Sequence, residues 1–186
     1  MNPDVLVVGA GLAGCSLAWH LAPDHRVLVF DTAAEPGSEA SRQNVGMLRR
    51  MGEDPFERTL ARRTHTFLCD PGEDWEDLNP SRQTGAVFGL VGDPHQLHDA
   101  AAHLQTCDVP LESCPVPGEV APAMSGGPYA HCWFLPEERV VDSPALLAGF
   151  LRGATRHGAT FRLGTQVQSL IQEGERVVGG QTADGP

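Results

Sequence analysis

"VLVVGAGLAGCSLAWHLA", residues 5–22, decides how the rest of the chain is read. Val5–Val8 is an unbroken apolar run, as carried by a strand buried on both faces of a parallel sheet. Gly9, Gly11 and Gly14 follow in the order G-x-G-x-x-G. The first permits a sharp turn, the second lets a pyrophosphate approach the backbone, and the third lets a helix sit close on the strand. Leu12, Leu17 and Leu21, with small residues between them, mark that helix. Its N-terminus offers free N–H groups and the positive end of a dipole to phosphate. Pro23 and Asp24 end it. "RVLVFD", residues 26–31, is a second buried strand, and it finishes on Asp31, 22 residues after Gly9. A carboxylate at that place accepts hydrogen bonds from ribose hydroxyls. A glycine cluster alone is a weak sign. Strand, glycines, helix, second strand and terminal acid in register specify a dinucleotide-binding unit, with Gly9, Ala10, Gly11, Leu12, Ala13, Gly14 and Asp31 as its candidate residues. Asp31 repels a 2′-phosphate and so disfavours NADP; it leaves NAD and FAD open.

The 186 residues carry 24 acidic and 13 basic side chains, a net charge of −11, and every basic residue is arginine. An acidic chain without a basic block argues against nucleic acid or an anionic membrane as partner. No apolar run reaches membrane-spanning length and no signal-peptide pattern is present, which points to the cytoplasm. The five cysteines, Cys15, Cys69, Cys107, Cys114 and Cys132, are odd in number and form no C-x-x-C. That argues against a metal knuckle and fits a reduced state, although the spacing would let Cys107 and Cys114 bridge. Cys15 falls in the first helix as a small buried residue. His95, His98 and His103 share one helical stretch and read as a solvated face.

After Asp31 comes a long irregular segment, "TAAEPGSEASRQNVGMLRRMGEDP", residues 32–55, with room for one helical turn. Such a segment inside a domain carries function or is disordered. Residues 55–69 read as an amphipathic helix with Phe56, Leu60, Phe67 and Leu68 apolar. Residues 70–83 are acidic and turn-rich, 84–91 a strand, and 94–106 a helix with Pro94 first and Asp93 as cap. Residues 108–130 hold five prolines and wander. "AHCWFL" is a strand. Asp142 or Ser143 caps a helix from Pro144 to about His157. Strand signals at 159–163, 165–172 and 176–182 follow, the last two a hairpin turning at Glu173-Gly174.

Three stretches resemble FAD-dependent amine and amino-acid oxidoreductases of the D-amino-acid oxidase superfamily, whose members include sarcosine oxidase, glycine oxidase and D-arginine dehydrogenase. They are the glycine start with "VLVFD", the loop "SEASRQNVGMLRR", and "RVVDSPALLAGFLRGATRHGATFRLGTQVQSL". The resemblance implies an α/β Rossmann-like FAD-binding domain of glutathione-reductase type with part of a β-rich substrate domain. Its first segment would be residues 1–75, the partial substrate segment 76–139, and the return to the FAD domain 140–186. It implies FAD as cofactor, with the glycines on the pyrophosphate and Asp31, where most members have glutamate, on the adenosine ribose. Ser41, Arg42, Gln43, Asn44 and Gly46 would contact the cofactor near its ring system. Val167 stands where the family holds adenine by backbone groups, and reads equally as a plain strand residue. Arg49 and Arg50 follow the loop where some relatives place an arginine facing a substrate carboxylate, which a guanidinium fork suits; a solvated or phosphate-facing arginine is the other reading. Met51 and Gly46 stand where D-arginine dehydrogenase has tyrosine and histidine, which argues against a cationic substrate.

The activity implied is oxidation of a C–N bond in a small amine or amino acid, with hydride passing to flavin N5. The family needs no nucleophile triad, and nothing marks Glu35, Glu39 or Glu53 as a base. The family would continue beyond "TADGP" with a strand rejoining the sheet, the rest of the substrate domain and a glycine-rich closing segment. The expectation is therefore a fragment truncated before the closing strand (a truncated gene, a split subunit or an incomplete gene model) that alone binds FAD weakly at best and is inactive, with a second polypeptide as one source of the missing half. A non-catalytic FAD-binding subunit and an NAD-binding module are the alternatives.

Overall fold

The computed structural model describes residues 3–52, 54–91 and 97–185. In chain order the elements are β1 (Val5–Val8), α1 (Leu12–Leu21), β2 (Val27–Phe30), β3 (Met47–Leu48), α2 (Pro55–Cys69), β4 (Ser81–Gln83), β5 (Ala86–Val91) and α3 (Leu97–Thr106). There follow β6 (Glu112–Ser113), α4 (Pro117–Val120), β7 (Tyr129–Leu135), β8 (Arg139–Val141), α5 (Ser143–Arg156), β9 (Thr160–Arg162), β10 (Ser169–Glu173) and β11 (Arg176–Gln181). Short 3-10 turns occupy Ala40–Arg42, Glu73–Trp75 and Pro122–Met124. The chain divides into two units, residues 1–45, 72–80 and 142–186 in the first, 46–71 and 81–141 in the second.

The first unit is α/β. Its parallel sheet has the order β1-β2-β9, with Val5 opposite Val27 and Leu28 opposite Thr160. Val7, Val27 and Val29 are buried in it, as an unbroken apolar strand requires. Arg26 grips Asp4 through two guanidinium nitrogens, at 2.7 and 3.0 Å, and this holds the Asp4 carboxyl well below its ordinary range. Asp142 caps α5, accepting from Ala145 N–H at 2.9 Å, with Pro144 in the first turn. α5 packs on α1 through small residues. Gly149 and Gly153 leave room for Trp75 and Trp19, whose indoles a Cβ would strike. Trp19, Trp75 and Phe150 meet edge to face, with ring centroids 5.0–5.7 Å apart. The indole of Trp19 donates to the buried Asp74 carboxylate at 2.8 Å, and Arg156 pairs with the same group at 3.0 Å. β10 and β11 form the expected hairpin, its turn made by Gly174 at φ 63°.

The second unit holds two antiparallel three-stranded sheets, β3-β8-β4 and β5-β7-β6, with α2, α3 and α4. β3, β4, β6 and β8 have two or three residues each, too short to show period-2 alternation, and the sequence reading placed loops over the first three. Asp54 caps α2 by accepting from Phe56 and Glu57 N–H. Of the four apolar positions expected to bury this helix, Phe56 and Leu60 are exposed and Leu68 is buried: only the last turn reaches the core. His103 is half-buried, not solvated, with Nε2 3.2 Å from the Met51 carbonyl. Cys107, Val109 and Leu135 form the unit's buried centre. Glu53, Asp93, Pro94 and His95 lie outside the described residues, as does the side chain of His98. No helix among the described residues is long and apolar enough to cross a membrane.

Arg50 is buried at the end of β3 and pairs with buried Glu138 at 2.9 Å and with Glu137 at 3.2 Å. Removing the guanidinium leaves Glu138 charged, buried and unmatched. Arg50→Met is expected to cost about 3–5 kcal/mol in urea unfolding, and adding Glu138→Leu to recover most of it. Equal stability of Arg50→Met and wild type would contradict this.

Candidate functional site

The turn after β1 opens the site. Gly9 has φ 106°, a conformation glycine adopts freely, and its N–H donates to Phe30 O at 2.7 Å. A Cβ at Gly14 would collide with the Gly9 carbonyl, so the third glycine sets how closely α1 follows the turn. Gly11 is the N-cap of α1 and brings no side chain to it. The orphan N–H groups of the first turn therefore face outward for an anion, with no acidic residue among them. One is already taken: Leu12 N–H donates to Ser41 Oγ at 2.9 Å. Ser41 thus caps a helix 29 residues before it in sequence, and its own hydroxyl proton remains available to a phosphate oxygen. Ala10 is buried beneath the turn and Ala13 is exposed on it.

Asp31 holds this turn from β2. One carboxylate oxygen accepts from Ala10 N–H at 2.6 Å and the other from Ala33 N–H at 2.8 Å. Each oxygen keeps a second lone pair, the acceptor set that the two hydroxyls of a ribose diol need. The Asp31 backbone is held as well, its N–H by Arg162 O at 3.2 Å and its carbonyl by Thr165 N–H at 2.8 Å. Cys15 lies below, fully buried, and donates to Ala10 O at 3.4 Å. Burial, then the Asp31 charge, pushes its thiol up to about 11, so it is filler and not a nucleophile.

The loop residues divide. Arg42 is exposed and pairs with Glu35 at 3.3 Å, and Gln43 is exposed at the end of its 3-10 turn. Asn44 is a brace: it donates to Ser41 O at 2.7 Å and accepts from Ser143 Oγ at 2.6 Å. Nothing local in the sequence signals that contact, which spans 99 residues. A cleft of about 230 Å³ opens beside Ser41, Arg42 and the first turns of α5. Val167 is half-buried beside Gly180 of β11. Gly46 and Arg49 belong to the second unit. Gly46 has φ 63° and a Cβ there would strike the Val141 carbonyl; Arg49 is exposed with no ion pair among the described residues, while its neighbour Arg50 is spent on Glu138. The larger cavity, about 580 Å³ in the second unit around Cys114, Met124, Tyr129, His131 and Cys132, has no charged side chain in its lining and so no counter-ion for a pyrophosphate. No group of metal ligands occurs among the described residues.

The doubly held carboxylate yields a test. Asp31→Asn offers one carbonyl to two N–H donors and turns an NH₂ toward the other. The expected loss is about 1–3 kcal/mol of stability in thermal unfolding followed by tryptophan emission. An unchanged midpoint would show that the turn does not depend on Asp31.

The family model for FAD dependent oxidoreductases, DAO, matches residues 4–186. Among solved structures, L-proline dehydrogenase from P. horikoshii superposes with a TM-score of 0.88 at 19% identity, covering 99% of this chain and 50% of that one. Glycine oxidase from Bacillus cereus ATCC 14579 gives 0.83 at 21%, covering 99% and 52%. L-alpha-glycerophosphate oxidase from Mycoplasma pneumoniae, solved with FAD bound, gives 0.81 at 12%, covering 99% and 50%. The chain thus spans about half the length of these proteins, and at such identities they show a shared fold. With the family model matched from before β1 to the last residue, the chain belongs to the DAO family of FAD-dependent oxidoreductases, and FAD is its cofactor.

Proposed function

We propose that this protein works as the cofactor-holding part of a flavoenzyme that oxidises a C–N bond in a small amine or amino acid. The observation that carries the reading is the first unit's site: an outward-facing helix N-terminus, the Asp31 carboxylate and the Ser41 hydroxyl around one glycine turn. FAD, when bound, supplies the acceptor for the substrate's hydride. The chain's own residues bind and orient. The N–H groups of Gly11, Ala13 and Gly14 and the Ser41 hydroxyl meet the pyrophosphate, while the Leu12 N–H holds Ser41 in place. Asp31 accepts from the adenosine ribose, and the Val167 backbone meets adenine. Arg42, Gln43 and Gly46 meet the cofactor nearer its ring system, with Asn44 fixing their loop. Glycine oxidase and L-proline dehydrogenase among the structural relatives support an amino-acid substrate.

Arg49 is the substrate-binding candidate, since an exposed guanidinium without an ion pair among the described residues can receive a carboxylate. A second polypeptide is the proposed partner for the remaining substrate contacts. The protein works in a reducing compartment, the cytoplasm, where its free thiols stay reduced. A non-catalytic FAD-holding subunit is the second reading, favoured by the same site.

With FAD added, a flavin absorption band is expected to stay with the purified protein and, once a partner polypeptide completes the substrate site, to bleach on anaerobic addition of the amine or amino-acid substrate. Retention without bleaching by any amine or amino acid would favour the non-catalytic subunit. Binding of NADH and not FAD would overturn both readings. In an active preparation, Arg49→Met is expected to raise KM about tenfold or more with kcat little changed, the mark of lost substrate binding. An unchanged KM removes Arg49 from the site.

A further inference from the structure

Cys69 ends α2 and is the one exposed cysteine of the five. It is not alone. His65 lies one turn back on the helix, with Nδ1 3.9 Å from Cys69 Sγ. Arg139, on β8, brings Nη1 to 3.8 Å from the same sulfur. Both neighbours are fixed. His65 Nε2 is 3.2 Å from the Glu137 carbonyl. A carbonyl only accepts, so Nε2 carries the ring proton and Nδ1 presents its lone pair to the thiol. Arg139 donates through Nε to Ser81 Oγ at 2.8 Å, and Ser81 donates to Leu68 O at 3.1 Å. The sulfur therefore sits between a base and a cation, open to solvent.

His103 and Cys107 repeat the spacing on α3 and show what the first pair has that they lack. There the sulfur is 3.7 Å from Nε2, the nitrogen whose proton points to the Met51 carbonyl at 3.2 Å. That thiol donates to the His103 carbonyl at 3.3 Å and is fully buried. It has neither a facing lone pair nor access. Cys15, Cys114 and Cys132 are buried too, and burial pushes the Cys15 and Cys132 thiols up.

We propose that Cys69 is a nucleophilic thiol and a modification site that takes up disulfides of low-molecular-weight thiols, with His65 as its base and Arg139 as the cation beside its thiolate. His65 Nδ1 takes the S–H proton. The thiolate attacks one sulfur of the small disulfide, a new S–S bond forms to Cys69, and the old S–S bond breaks. The departing thiolate takes the proton back from His65. Cys69 is oxidised and half of the reagent is reduced, so no other oxidant is needed, and excess reduced thiol reverses the step. The site lies wholly in the second unit and does not depend on the flavin reading.

The test uses the purified protein with an aromatic disulfide (Ellman's reagent) and with oxidised glutathione, and peptide mass mapping locates the adduct. One equivalent is expected to react first, at Cys69, and Cys69→Ser is expected to remove it. The native protein should react about tenfold or more faster at Cys69 than the urea-unfolded chain, and His65→Gln should abolish that advantage while leaving the unfolded rate alone. First reaction at another cysteine, or a native rate no faster than the unfolded one, would overturn the proposal. So would a folded His65→Gln variant that keeps the wild-type rate. Loss of flavin binding with this reactivity intact would count against the proposed function only.

Discussion

The Asp31 carboxylate is the joint on which the first unit turns. It accepts from Ala10 N–H in the glycine turn and from Ala33 N–H in its own loop, while its backbone reaches Arg162 and Thr165. A single residue thereby ties the end of β1, the end of β2 and the exit from β9. Charge-assisted hydrogen bonds of this kind contribute about 1.5–3 kcal/mol each. Their effect is also geometric: they fix the direction in which the α1 N–H groups point. Aspartate suits the task because its short arm keeps the carboxylate against the backbone of the turn.

The rest of the first unit maintains that geometry. The close approach of α1 to the turn needs Gly14, and the approach of α5 to Trp19 and Trp75 needs Gly149 and Gly153. Ser41 caps α1, Asn44 holds the Ser41 carbonyl, and Ser143 at the start of α5 holds Asn44. This chain of hydrogen bonds runs from the glycine turn to α5. It explains why serine and asparagine stand in the loop: they build the wall of the site as much as they face a ligand.

Much of this was legible in residues 5–31, because the dinucleotide unit is local. The strand, the glycines, the helix and the acid follow one another closely enough for sequence order to fix spatial order. α5 and the β10–β11 hairpin were legible for a similar reason, each carrying its own cap or turn. The second unit was harder. β3, β4 and β8 make one sheet from paired residues 56 to 93 apart in sequence, and strands so short leave no period to read. The histidines of α3 misled because helical spacing does not say which face meets a core; His103 turned toward the Met51 carbonyl. The double duty of Asp31 was invisible as well: the sequence marks it as a ribose acceptor and is silent on the two N–H groups it already serves.

The central claim is that the turn, Asp31 and Ser41 form one dinucleotide site. The most direct measurement is backbone hydrogen–deuterium exchange of the protein with and without FAD. Slowed exchange is expected at residues 10–14, 31–33 and 41–44 together, with residues 112–132 around the larger cavity unaffected. Protection around that cavity, with none at the glycine turn, would contradict it.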